Sequence, residues 1–197
     1  SITLPQYSSK VLVNDNSSLY QTLNLTAYTQ GLYDPVSNST VQDTFRVYIR
    51  NNYPPYAVVD SAKSFIGING SSYFYFKKTQ NGINYYIDIR HRNSIETWSS
   101  NTVAFNDNAA GYNISSSVSQ AYGNNLVLKG SKYCIYSGDI NRDGIIDGSD
   151  ISIADNDVSN SLSGYISSDI NGDLITDASD FSIVMNNADL NITKLTP

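Results

Sequence analysis

Asp139-Ile-Asn141-Arg-Asp143-Gly144-Ile145-Ile-Asp147-Gly-Ser-Asp150 returns thirty residues later as Asp169-Ile-Asn171-Gly-Asp173-Leu174-Ile175-Thr-Asp177-Ala-Ser-Asp180. Both copies place oxygen-bearing side chains at positions 1, 3, 5, 9 and 12 of a twelve-residue run, and position 7 (Ile145, Ile175) can turn in its backbone carbonyl. A hard cation of calcium's size takes about six to eight oxygens, and this EF-hand-type spacing wraps them around one point. The repeat therefore predicts two bound Ca2+ ions. Magnesium suits the runs less, because it keeps more water and demands a tighter octahedron. Four carboxylates per run repel one another without an ion, so ion-free loops are expected to be largely unfolded. Position 6 differs between the copies, Gly144 in one and Leu174 in the other. A left-handed backbone there costs a leucine about 1 kcal/mol or more, so the second site is expected to be the weaker.

Outward from the repeat, the chain divides by charge. Residues 139–197 hold eleven acids against Arg142 and Lys194, whereas residues 1–138 hold seven acids and ten bases. Tyrosine divides the other way: of 16, all but Tyr165 precede Asp139. Two modules are expected to meet near Gly138, giving an N-terminal arm or first strand over 1–20, a β-sandwich over 21–137 and a calcium-binding domain over 138–197. Net charge is −6 in 197 residues and charged residues make up only 15%. An acidic chain without a Lys/Arg cluster predicts no nucleic-acid partner. Abundant aromatics and few charges argue against disorder, and no apolar run reaches the ~18 residues of a membrane span. Cys134 is the single cysteine, so no intrachain disulfide can form. The start at Ser1 is read as a mature polypeptide or a cut-out segment, and the Asn/Ser/Thr/Tyr-rich composition as extracellular or cell-surface.

The first module reads as strands. Leu23, Leu25 and Ala27 alternate with polar neighbours, as do Phe45, Val47 and Ile49, the period of a half-buried strand. Tyr56–Val59 starts another after Pro54-Pro55. Ser72–Lys78 and Ile83–Arg90 flank Asn81-Gly82, whose tolerance of positive φ predicts a type I′ hairpin. Two of Tyr73, Phe74, Tyr75 and Phe76 must then face the core. Short strands are expected at Thr102–Phe105, Leu126–Leu128 and Tyr133–Tyr136, with one or two helical turns in Ile114–Tyr122. Together these predict an antiparallel sandwich of about seven strands.

Gly138-Asp-Ile-Asn-Arg-Asp-Gly-Ile-Ile-Asp-Gly-Ser-Asp-Ile and its repeat resemble a type I dockerin: two calcium loops, each followed by one helix. The resemblance covers roughly residues 137–190. It implies a small α domain in which Asp139, Asn141, Asp143, Asp147 and Asp150, with Asp169, Asn171, Asp173, Asp177 and Asp180, are ligands. The chain departs from cohesin-binding dockerins in its short, base-free first helix and in Gly148-Ser149 and Ala178-Ser179 at the recognition positions. Calcium binding carries over from the family better than cohesin binding does. Gly82-Ile-Asn-Tyr-Tyr-Ile-Asp-Ile-Arg-His-Arg-Asn-Ser-Ile-Glu-Thr-Trp98 resembles the transthyretin-like or carboxypeptidase-regulatory sandwiches of bacterial secreted and surface proteins, which imply a non-catalytic spacer or adhesive module of Ig/transthyretin-like form.

Chemistry beyond metal binding is sparse. His91 is the sole histidine and Glu96 the sole glutamate. A His91/Glu96/Ser94 hydrolase cluster lacks any nucleophile context, and His91, Arg92 and Trp98 read instead as a hydrogen-bonded strand end. Cys134 reads as a buried core residue. Asn-x-Ser/Thr acceptors stand at Asn16, Asn24, Asn38, Asn69, Asn113 and Asn191, so glycan is a possible attachment. The expected function is a non-catalytic extracellular calcium-binding structural protein that assembles with itself head to tail as a filament subunit, residues 1–13 serving as donor strand. The alternatives are a docking or sorting region of a secreted enzyme that binds a cohesin-like surface protein, and a carbohydrate-binding module that uses the tyrosines.

Overall fold

A computed structural model describes residues 20–197; the 1–13 segment and Asn16 lie outside the described residues. Ladder strands run in chain order as β1 (Gln21–Thr26), β2 (Tyr33–Asp34), β3 (Ser39–Thr40), β4 (Asp43–Asn51), β5 (Val58–Ile66), β6 (Ser71–Phe76), β7 (Asn84–His91), β8 (Ser94–Trp98), β9 (Val103–Ala104), β10 (Ala109–Asn113), β11 (Val127–Lys129) and β12 (Lys132–Cys134). Two helices follow, α1 (Gly148–Ser159) and α2 (Ala178–Asp189). The fold is mainly β.

Two sheets face each other. The smaller has the order β10-β1-β6, and the larger runs β5-β4-β7-β8 with β9 also paired to β7. Leu23, Leu25, Phe74 and Phe76 from one sheet meet Phe45, Val47, Ile49, Ile87 and Ile89 from the other, each at most 2% exposed. Burial of each such side chain contributes roughly 1.5–3 kcal/mol, so period-2 alternation orients β1, β4 and β6. Tyr73 and Tyr75 point out of the same strand, 55% and 58% exposed. Three single 3-10 turns at 114–116, 118–120 and 122–124 occupy the stretch expected to hold one or two helical turns.

Two expectations are corrected. The Asn81-Gly82 hairpin does not form: β6 pairs with β1, whereas β7 pairs with β4, β8 and β9. Facing layers bury the apolar rows of both strands as well as pairing would. The connection crosses between sheets, with the Lys77 and Lys78 amides held by the Asp60 carboxylate and Gly82 donating to the Phe105 carbonyl. Nor is the sandwich wholly antiparallel, because β1 and β10 run parallel, Leu23 opposite Ala110.

Candidate metal centre

Each helix starts on the ninth residue of an acidic run. Asp147 caps α1 and Asp177 caps α2, each accepting from the amide two residues on, that of Ser149 or Ser179, at 2.8 Å. The twelfth residue completes a capping box. Asp150 accepts from the amides of Ile140, Asn141 and Asp147, and Asp180 from those of Ile170, Asn171 and Asp177, at 2.7–3.2 Å. Reciprocal bonds of this kind satisfy the orphan N–H groups of a helix start. They also fix the position-12 carboxylates, both fully buried, against the loops' first turns.

Asn141 and Asn171 fold back in the same way. The side-chain oxygen of each accepts from the Asp143 or Asp173 amide, and the side-chain nitrogen reaches that aspartate and the Ser149 or Ser179 hydroxyl, all at 2.8–3.0 Å. In the second run one oxygen from each of Asp169, Asp173 and Asp180 lies within 4.8 Å of the others. In the first run Asp139 is 3% exposed, and its Oδ1 has no hydrogen-bond partner among the described residues. Burial, with Asp150 and Asp143 close by, pushes the Asp139 carboxyl up to about 7. Burial likewise raises Asp150 and Asp169. An orphaned, desolvated carboxylate oxygen in an all-oxygen donor set suits a hard cation. Ile145 and Ile175 occupy position 7 and pair with Thr193 and Ser163 in single bridges.

The expected inequality of the loops loses its basis. Left-handed backbone occurs at positions 4 and 6 of both: Arg142 (φ 62°) and Gly144 (φ 91°) in the first, Gly172 (φ 80°) and Leu174 (φ 69°) in the second. Each loop therefore holds one glycine and one strained residue. Packing explains the exchange. A Cβ on Gly172 would come within 2.8 Å of Leu32, and one on Gly144 within 2.6 Å of the Lys194 stem.

The second run is bonded to the sandwich. The Arg92 guanidinium donates to Asp43 at 2.9 Å, to Asp169 at 3.3 Å and to the Ile166 carbonyl. It also lies 4.6 Å from the centre of the Tyr165 ring, whose hydroxyl donates to Asp43. Asn93 Nδ2 donates to the Asp169 carbonyl, and Asn187 Nδ2 to Ser137 O and Gln30 Oε1. Gly31 abuts the Ile170 carbonyl so closely that a Cβ would stand 2.1 Å from it. Burial alone would raise the Asp43 carboxyl, but His91, Tyr165 and Arg92 together hold it well below the usual carboxylate range. Sequence reasoning assigned Arg92 to the strand end and gave no role to Asp43, Asn93 or Asn187. Tyr165, alone in a module otherwise without tyrosine, was the one visible signal.

The hydrolase grouping is only partly assembled. His91 Nδ1 lies 3.3 Å from Ser94 Oγ, but Glu96 pairs with Arg90 and Trp98 instead. Asp43 is the acid near His91, 3.0 Å from Nε2. Asn93 Oδ1 and Ser94 Oγ both face His91 Nδ1, at 3.0 Å and 3.3 Å, while Asn93 Nδ2 is committed to the Asp169 carbonyl. Cys134 is fully buried, its thiol pushed up by burial to about 12. Of the sequons, Asn24, Asn38, Asn69, Asn113 and Asn191 are exposed. The side-chain oxygens of Asn38, Asn69 and Asn113 accept from Tyr33, Ser71 and Ser115.

No protein-family model matches this chain. No curated protein matches it. Among solved structures, a chain of a type II cohesin–X–dockerin complex from Acetivibrio cellulolyticus, an N-terminal interface mutant, is similar at 18% identity and a TM-score of 0.46, covering 85% of this chain and 94% of that one. Among the described residues no helix is long and apolar enough to cross a membrane.

Proposed function

We propose that the chain is a non-catalytic, extracellular structural module that holds two calcium ions and acts by protein–protein assembly. The observation that carries this reading is the repeated loop itself, with its capped position-12 carboxylates and the partnerless buried Asp139 Oδ1. Asp139, Asn141, Asp143, Asp147, Asp150 and the Ile145 carbonyl would hold one ion. Asp169, Asn171, Asp173, Asp177, Asp180 and the Ile175 carbonyl would hold the other. Calcium would supply the charge that lets four carboxylates per loop stay together. The commitment of Glu96 to Arg90 and Trp98, away from His91, supports the non-catalytic part.

Within this class we favour self-assembly over capture by a cohesin-like receptor. Tyr73 and Tyr75 form an exposed aromatic row, Tyr being a favoured interface residue, and residues 1–13 are the proposed donor strand. The experiment is negative-stain electron microscopy of the full chain and of a variant lacking residues 1–13, both in calcium. Filaments from the full chain and dispersed particles from the truncated one are expected. Filaments from both would overturn the donor-strand proposal. Dispersed full-length particles that retain a single foreign surface protein would overturn self-assembly in favour of docking.

A further inference from the structure

The bases are few and they are not scattered. Five of the chain's 12 Lys and Arg line one cleft of about 360 Å³, between the outer face of the larger sheet and the first acidic loop. Arg46 stands directly opposite Lys63 on one side and Arg90 on the other, so three cations form a row across β5, β4 and β7. Adjacent strands are about 4.8 Å apart, and like charges directly opposite each other destabilise a sheet. Arg90 is compensated by Asp88 and Glu96. Arg46 and Lys63 form no ion pair with any described residue, and neither does Arg142, which overhangs the row from the loop. Glu96 and Asp139 also line the cleft and Arg46 lies over the Tyr48 ring, but no described acid pairs with Arg46, Lys63 or Arg142, and a local rule left so incompletely compensated points to a function that uses it.

We propose that this cleft binds an acidic peptide segment of a partner protein, its carboxylates spanning Lys63, Arg46 and Arg142. The volume lies at the low end of ligand sites, about 300–1,000 Å³. Arginine forks match carboxylates in a bidentate manner. An acidic polysaccharide fits less well, because the cleft's tyrosines already carry guanidinium groups: Arg46, Arg50 and Arg90 lie over Tyr48, and Arg92 over Tyr165. No bare aromatic platform is left for a sugar ring. The proposal needs no assembly of the chain with itself and stands apart from that reading.

The experiment titrates the full chain, in calcium-containing buffer, with poly-glutamate, polygalacturonate and inorganic sulfate by calorimetry at low and physiological salt. Poly-glutamate is expected to bind, more weakly as salt rises. The triple variant Arg46→Gln, Lys63→Gln, Arg142→Gln is expected to lose about tenfold or more in affinity while melting no lower than the parent, since a repulsive row has been removed. The single reversal Lys63→Glu should weaken binding in the same direction. Absence of poly-glutamate binding, undiminished binding by the triple variant, or tighter binding of polygalacturonate or sulfate would each overturn the proposal.

Discussion

Leu174 occupies a left-handed turn that glycine would adopt without strain, whereas the other left-handed position of its loop is a glycine, Gly172, lying under Leu32 and Val41. Leu174 itself is half exposed and packs little. Leu174→Gly is therefore expected to raise stability by about 1 kcal/mol, read as a higher melting temperature. Gly172→Ala should lower it through its clash with the sandwich. Asp139 gives a pH prediction. Its folded-state carboxyl lies near 7, above the unfolded value of 3.8, so the ion-free fold binds the extra proton between about pH 4 and 7. Stability in EDTA should consequently rise as pH falls through that window. Asp43 does not oppose this, since its lowered carboxyl loses its contribution only below the same window. In calcium the trend should reverse, because the proton then competes with the ion. Thermal melts at stepped pH, with and without EDTA, check both signs.

At the scale of elements, alternation was legible and pairing was not. Phe74 and Phe76 point inward and Tyr73 and Tyr75 outward, as a period of two requires. Phe74→Ala is expected to cost about 3–5 kcal/mol, whereas Tyr75→Ser should stay within about 0.5 kcal/mol; urea titration separates them. What the sequence could not show is which strand lies beside β6. A buried row is satisfied equally by a ladder partner or by a facing sheet, and Asn81-Gly82 serves a crossover as readily as a hairpin. The two loops' shared capping geometry was legible because the spacing of their Asp and Asn residues is local to twelve residues. Their equal strain was not, because it depends on Leu32, Val41 and Lys194, far away in sequence.

Taken whole, the molecule is held together across the step in its charge. Ile146 joins the sandwich core, and Ala188 and Ile192 pack against it. Arg92 links Asp43 to Asp169, the first residue of the second acidic run. Arg92→Met would leave the buried Asp43 and Asp169 carboxylates each one partner short, at a cost of about 3 kcal/mol, read as a lower melting temperature in EDTA. Nothing in residues 82–98 read alone announced that link, since an arginine at a strand end is ordinarily a solvated one. On the proposed reading each acidic loop holds one calcium ion and the helical segment depends on both. Calorimetric titration of the full chain with calcium, followed by melting in calcium and in EDTA, tests it most directly. Two ions per chain are expected, one lost in each of Asp150→Asn and Asp180→Asn, with a melting temperature that drops in EDTA. Heat-silent titration together with identical melting in both buffers would contradict it.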